Sequence, residues 1–99
     1  KPETFIVLSG RFVAGIFDER GRVIQACILS PSGNRGMDIL PGTWHSIIAL
    51  EPGSVFFEAK EGPYDPDTDK EFAEWSEPES EENGYFQEMK TAMLRAADE

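Results

Sequence analysis

The sequence predicts an all-β domain, a small barrel or sandwich, followed by one C-terminal helix. Three observations predict it. Six short apolar runs rich in Val, Ile and Phe recur between residues 3 and 60, at the roughly ten-residue spacing of small all-β folds. Polar stretches carrying Gly or Pro separate these runs. Apolar residues at helical three- and four-residue steps occur only close to the C-terminus.

The first strand is expected over residues 3–10, where Phe5, Ile6, Val7 and Leu8 form a β-rich run closed by Gly10. Residues 11–18 carry Phe12, Val13, Ala14, Ile16 and Phe17. Residues 22–29 carry Val23, Ile24, Ala26 and Ile28. The polar turn at Glu19, Arg20 and Gly21 joins these two runs into a β-hairpin. Residues 30–36 (Ser-Pro-Ser-Gly-Asn-Arg-Gly) read as loop. A short strand follows over 36–40 and a longer one over 44–50. Pro52 and Gly53 suit the central positions of a type II turn, and 54–60 forms the last strand. Tyr85, Phe86, Met89, Met93 and Ala96 then recur as one amphipathic stripe, which predicts a helix over 84–97. The organisation is therefore a β core over 1–61, an irregular acidic and Pro-rich excursion over 62–83, and the helix over 84–97.

Composition limits the function classes. The chain has 99 residues and a formal net charge of −10, which suits one domain and opposes binding to phosphate backbones or anionic membranes. No run of about 18 apolar residues suggests a membrane span. The single Cys27 sits in an apolar run and reads as a small buried hydrophobe. It has no internal disulfide partner, so a cytoplasmic protein is expected.

The chemistry centres on Leu40-Pro41-Gly42-Thr43-Trp44-His45, which holds the only histidine. Pro41 and Gly42 favour a tight turn, with His45 placed as the chain leaves it. On a strand, His45 and Ile47 share one face, as do Glu3, Phe5 and Val7. If Glu3 and His45 point inward, Phe5, Val7, Thr43, Ile47 and Phe57 line an apolar pocket. Tyr64, Lys70 and Phe72 are candidates for a lid. The Asp65-x-Asp67-x-Asp69 spacing invites calcium. It lacks the required Gly and Glu, since Lys70 and Ser76 stand there.

Glu3 with Gly10 seven positions on resembles the end of the first cupin motif. Pro41-Gly42-Thr43-Trp44-His45 resembles the second, in which a Gly stands three positions before a metal-binding His. The usual Pro-x-Gly reads Leu40-Pro41-Gly42, and the Asn often found four after the His is Ala49. Gly62-Pro63-Tyr64-Asp65-Pro66 and the stretch from Asp69 to Trp75 are similar to the WbuC-type cupin-fold metalloproteins, small bacterial proteins. The likeness covers residues 1 to about 75. It implies a double-stranded β-helix, a small jelly roll, with one divalent transition metal (Fe, Mn, Ni, Co or Zn) in the barrel mouth. Glu3 and His45 take two ligand positions. The family's remaining His pair would lie upstream of Lys1. The resemblance further implies a small-molecule ligand such as a sugar or sugar nucleotide of surface polysaccharide metabolism, and a homodimer. Two other readings stay open: a metal-free binding or dimerisation module, and a metal-free epimerase-like protein with His45 as base and Glu3 orienting it.

Overall fold

Each of the six apolar runs becomes a strand, and the C-terminal stripe becomes a helix. The structure, a computed structural model, describes residues 2–60 and 84–98. The strands are β1 (Glu3–Ser9), β2 (Phe12–Phe17), β3 (Val23–Leu29), β4 (Gly36–Ile39), β5 (Trp44–Ala49) and β6 (Val55–Lys60), and the helix is α1 (Gly84–Ala96). They form two antiparallel three-stranded sheets, the first in the order β4-β1-β6 and the second in the order β3-β2-β5. Among the described residues, only the β2–β3 link is a hairpin within one sheet; the other links between strands cross from sheet to sheet. No helix among the described residues is long and apolar enough to cross a membrane.

Strand β2 is buried along almost its whole length, because it has a neighbour on each face. Phe12 and Ala14 face the first sheet and pack with Val7 and Leu29, joined by Met37, Ile47, Cys27 and Phe56. Phe56 meets Phe5 and Phe12 edge to face, at centroid distances of 5.5 and 5.2 Å, the geometry that ring quadrupoles favour. Val13 and Phe17 face the other way, toward α1, and pack with Ile48, Phe86, Met89 and Met93. The described residues thus form three layers: sheet, sheet, helix. Burial raises the Cys27 thiol above its usual range, as suits a packing residue.

The helical stripe is spent within this chain. Phe86, Met89 and Met93 are buried against the second sheet, with Leu94 and Ala97 completing the contact. Ala96, expected in the stripe, is exposed instead. Gly15 allows the close approach: a Cβ there would stand 3.0 Å from both Cγ and Cε of Met93.

The predicted strand bounds hold to within about a residue because the turn residues do what their chemistry requires. Gly42, after Pro41, has φ +76°, the conformation a type II turn demands at that position. At the opposite end of the sandwich, Ser54 ties the β5–β6 turn to the chain after β1. Its Oγ accepts from the Arg11 amide at 3.2 Å and lies 2.8 Å from the Glu51 carbonyl.

Candidate functional site

Alternation along β5 sends Trp44 and Ile48 toward α1 and leaves His45 and Ile47 facing the first sheet. Opposite His45 on β2 stands Ile16. The Pro41–Gly42 turn delivers His45 at the very start of β5, so its ring lies at the end of the inter-sheet layer rather than in the middle.

Glu3 reaches the same place from the first sheet. It is the first residue of β1 and is flanked by Ile39 on β4 and Lys60 on β6. Its Oε2 lies 3.1 Å from His45 Nε2, and its Oε1 lies 3.4 Å from Lys60 Nζ. The Glu3 side chain is only 13% exposed. Phe5, one inward position along β1, sets its ring 5.8 Å from the imidazole at 50°. An apolar wall therefore stands beside a cluster of charged groups.

The hydrogen-bond pattern constrains the protons. His45 Nδ1 lies 2.9 Å from the Thr43 carbonyl oxygen. A carbonyl can only accept, so this contact is a hydrogen bond when Nδ1 carries the hydrogen and donates it. Nε2 then faces a carboxylate oxygen of Glu3 at 3.1 Å, an arrangement that either a proton or a metal ion between the two can satisfy. Burial by itself would raise the Glu3 carboxyl. A hydrogen bond with Glu58 and the positive charges of His45 and Lys60 outweigh it and hold the carboxyl below its ordinary value.

The arrangement has part of what a metal ion needs. With Nδ1–H engaged on a backbone carbonyl, Nε2 is the nitrogen left to coordinate, as is usual for metal-binding histidines. Two ligand bonds of about 2.1 Å at right angles would separate nitrogen and oxygen by about 3 Å, close to the 3.1 Å found. Lys60 works against it, since its ammonium occupies the second carboxylate oxygen. Among the described residues, no three His, Cys, Asp or Glu side chains are arranged to hold a metal ion. Glu3 and His45 fit two positions of a centre and do not make one by themselves.

The other candidates divide. Phe5 and Ile47 lie on the inward faces near the pair. Thr43 takes part through its carbonyl. Val7 is fully buried in the core and lines no open pocket. Phe57 corrects the sequence reading: it points out of the sandwich and is 56% exposed, and Phe56 takes the inward position. The reason is register. Glu3 pairs with Lys60 and Phe5 with Glu58, so the even-numbered residues of β6 share the inward face of β1. The same register brings in Glu58 and Lys60, which the sequence reading did not include. Two inward charges at the end of an apolar strand are the signal that could have found them. Tyr64, Lys70 and Phe72, the expected lid, lie outside the described residues.

A shallow groove also runs between α1 and the β2–β3 turn, past Phe17, Arg22, Met89 and Arg95. It lies on the opposite face of the second sheet from Glu3 and His45. Comparison of the chain with protein-family models, with curated proteins and with solved structures gives no match.

Proposed function

We propose that this chain forms most of a cupin-type jelly roll in which Glu3 and His45 are two ligands of one divalent transition metal. The observation that carries this reading is their meeting at 3.1 Å, from two different sheets, with imidazole Nε2 facing the carboxylate and Nδ1 facing the Thr43 carbonyl.

The strand pairing supports the same reading. β2 pairs with β3, and β1 pairs with β4, so the partners' numbers add to five. A jelly roll is a long hairpin wound on itself, and its pairs nest in this way. Continuing the rule, β5 would take the strand just before β1, and β6 the strand before that. Among the described residues, β5 and β6 each border one strand only. A strand laid along the outer edge of β5 would bring its inward residues beside His45. Two histidines at alternate positions there would share that face and raise the donor set to three nitrogens and one carboxylate oxygen.

A bound metal would supply Lewis acidity toward a carbonyl or hydroxyl of a small-molecule ligand. The chain's own residues prepare the place. Thr43 fixes the imidazole orientation, Lys60 helps keep Glu3 ionised, and Phe5 provides a wall against which a ligand can pack. The ligand class suggested by the family resemblance is a sugar or sugar nucleotide.

Lys60 favours a second reading. With its ammonium on Glu3, the pair is already balanced without a metal. His45 would then act as a base oriented by Glu3, or the barrel would simply bind. Elemental analysis separates the two readings, using the full-length native protein with no added histidines. The metal reading expects about one transition-metal ion per chain, lost in His45→Ala and strongly reduced in Glu3→Gln. Absence of metal after reconstitution overturns it in favour of the second reading.

A further inference from the structure

The two oxygens of the Glu3 carboxylate have different partners. Oε2 faces His45 Nε2 at 3.1 Å, and Oε1 faces Lys60 Nζ at 3.4 Å. The division is built into the strands. Glu3 and Lys60 stand directly opposite each other on β1 and β6, so their side chains share the inward face. His45 approaches from the other sheet. The contact is sheltered: the Glu3 and Lys60 side chains are only 13% and 21% exposed, and the Phe5 ring lies against the imidazole. An ammonium in such a place is costly to leave without its anion, so Lys60 stays on its carboxylate oxygen.

We propose, resting on the reading of Glu3 and His45 as metal ligands, that Lys60 is a positioning residue: it holds Oε1 so that Glu3 offers a metal ion only Oε2, which leaves a coordination position for the small-molecule ligand. A protonated amine has three donors and no lone pair, so Lys60 is not itself a ligand. A carboxylate without other partners binds a metal through one oxygen or through both, and the second oxygen takes a position that a small molecule would otherwise fill. Metal centres that act on ligands keep such a position open, and side chains bonded to the ligating groups set how those groups bind. The ammonium that counts against metal affinity, by competing for Glu3 and by its like charge, therefore also keeps room beside the metal. Weaker metal binding and an open position are two results of one contact.

Cobalt(II) titration of the full-length native protein, with no added histidines and at mildly alkaline pH, tests this. Visible absorption reads both affinity and coordination, because cobalt(II) bands weaken as more ligands surround the ion. Imidazole then probes the open position. It is neutral, so loss of the Lys60 charge does not by itself weaken its binding. In the wild type, imidazole changes the cobalt spectrum. Lys60→Met binds cobalt about tenfold more tightly, the scale on which such outer partners act. Its bands are weaker, and it binds imidazole about tenfold less well. Lys60→Arg, which restores a cation on Oε1, returns both values toward the wild type. Lys60→Ala repeats the measurement if circular dichroism shows that the methionine variant is not folded. A merely structural role for Lys60 would leave cobalt affinity unchanged or lower it. Unchanged imidazole binding in cobalt-loaded Lys60→Met overturns the proposal and leaves the metal reading standing. So does a wild type that binds cobalt but not imidazole. A wild type that takes up no cobalt overturns both.

Discussion

Glu3 Oε2 lies 3.1 Å from His45 Nε2, and this contact fastens β1 of the first sheet to β5 of the second across 42 positions of sequence. Because Glu3 is held below the ordinary carboxyl range, the contact carries a pH dependence of definite sign. A carboxyl lowered in the folded state adds stability that is full above the unfolded value of about 4.3 and is lost as pH falls through the folded value. Asp18 titrates in the same direction. The backbone amide of Arg22, helped by that of Arg20, holds its carboxylate low in the β2–β3 turn. Among the described residues, acid denaturation of the wild type therefore has at least these two sources. Glu3→Gln should flatten the acid limb of the stability–pH curve only in part, as read by urea denaturation at a series of acidic pH values. An unchanged acid limb would mean that Glu3 is not held low.

Removing the positive partners should move Glu3 the other way. Lys60→Met and His45→Gln each leave the carboxyl about as buried but less compensated. In each variant its titration midpoint, followed by carbon NMR of the side-chain carboxyl, should rise relative to the wild type. Burial is the largest single influence on Glu3 and acts upward, so removing both partners should raise the midpoint further than either change alone.

The neutral imidazole should exist as one tautomer. In Glu3→Gln the side-chain amide can donate to Nε2 while the Thr43 carbonyl accepts from Nδ1 at 2.9 Å, so nitrogen NMR of the single histidine of that variant at alkaline pH should place the hydrogen on Nδ1. Nε2 should appear as an unprotonated nitrogen. A spectrum dominated by the Nε2–H form would remove the basis for Nε2 as a coordinating or proton-accepting atom.

The two neighbouring phenylalanines of β6 should differ sharply. Phe56 joins the ring contacts between the sheets, so Phe56→Ala should cost about 3 kcal/mol of folding stability. Phe57 projects from the outer face, and Phe57→Ala at dilute protein concentration should cost well under about 1 kcal/mol. Equal costs would contradict the register of β6 against β1.

That pair of residues also shows where sequence reading reaches its limit. The six strands and the helix were legible because Gly and Pro punctuate them, and Gly42 and Gly53 adopt the positive φ that their Pro-Gly turns imply. The meeting of Glu3 and His45 was legible as a shared inward face. The phase of β6 was not, because Val55, Phe56 and Phe57 are all apolar and alternation has nothing to alternate. Pairing with β1 sets that phase, a long-range fact that also decides that Glu58 and Lys60 join the site. The far end of α1 was misjudged for a similar reason. Ala96 and Ala97 are chemically alike, and only the line of contact with the second sheet partly buries Ala97 and leaves Ala96 exposed.

The contact between Gly15 and Met93 makes the docking of α1 testable. Two effects oppose each other in Gly15→Ala. A methyl group restricts the unfolded chain and so favours folding by about 0.4–1 kcal/mol. In the folded state it would stand 3.0 Å from Cγ and Cε of a methionine that is fully buried and has little room to yield. Overpacking of that kind costs about 1–3 kcal/mol, so the net effect should be destabilising. Met93→Ala alone should cost about 2–5 kcal/mol through the cavity it leaves beneath the helix. In the double variant the alanine methyl at position 15 enters space that Met93 has vacated, and its clash disappears. The double variant should therefore be more stable than the sum of the single changes predicts, by at least about 0.5 kcal/mol. Urea denaturation of the four proteins closes the cycle. Strict additivity would mean that the helix does not lie over Gly15.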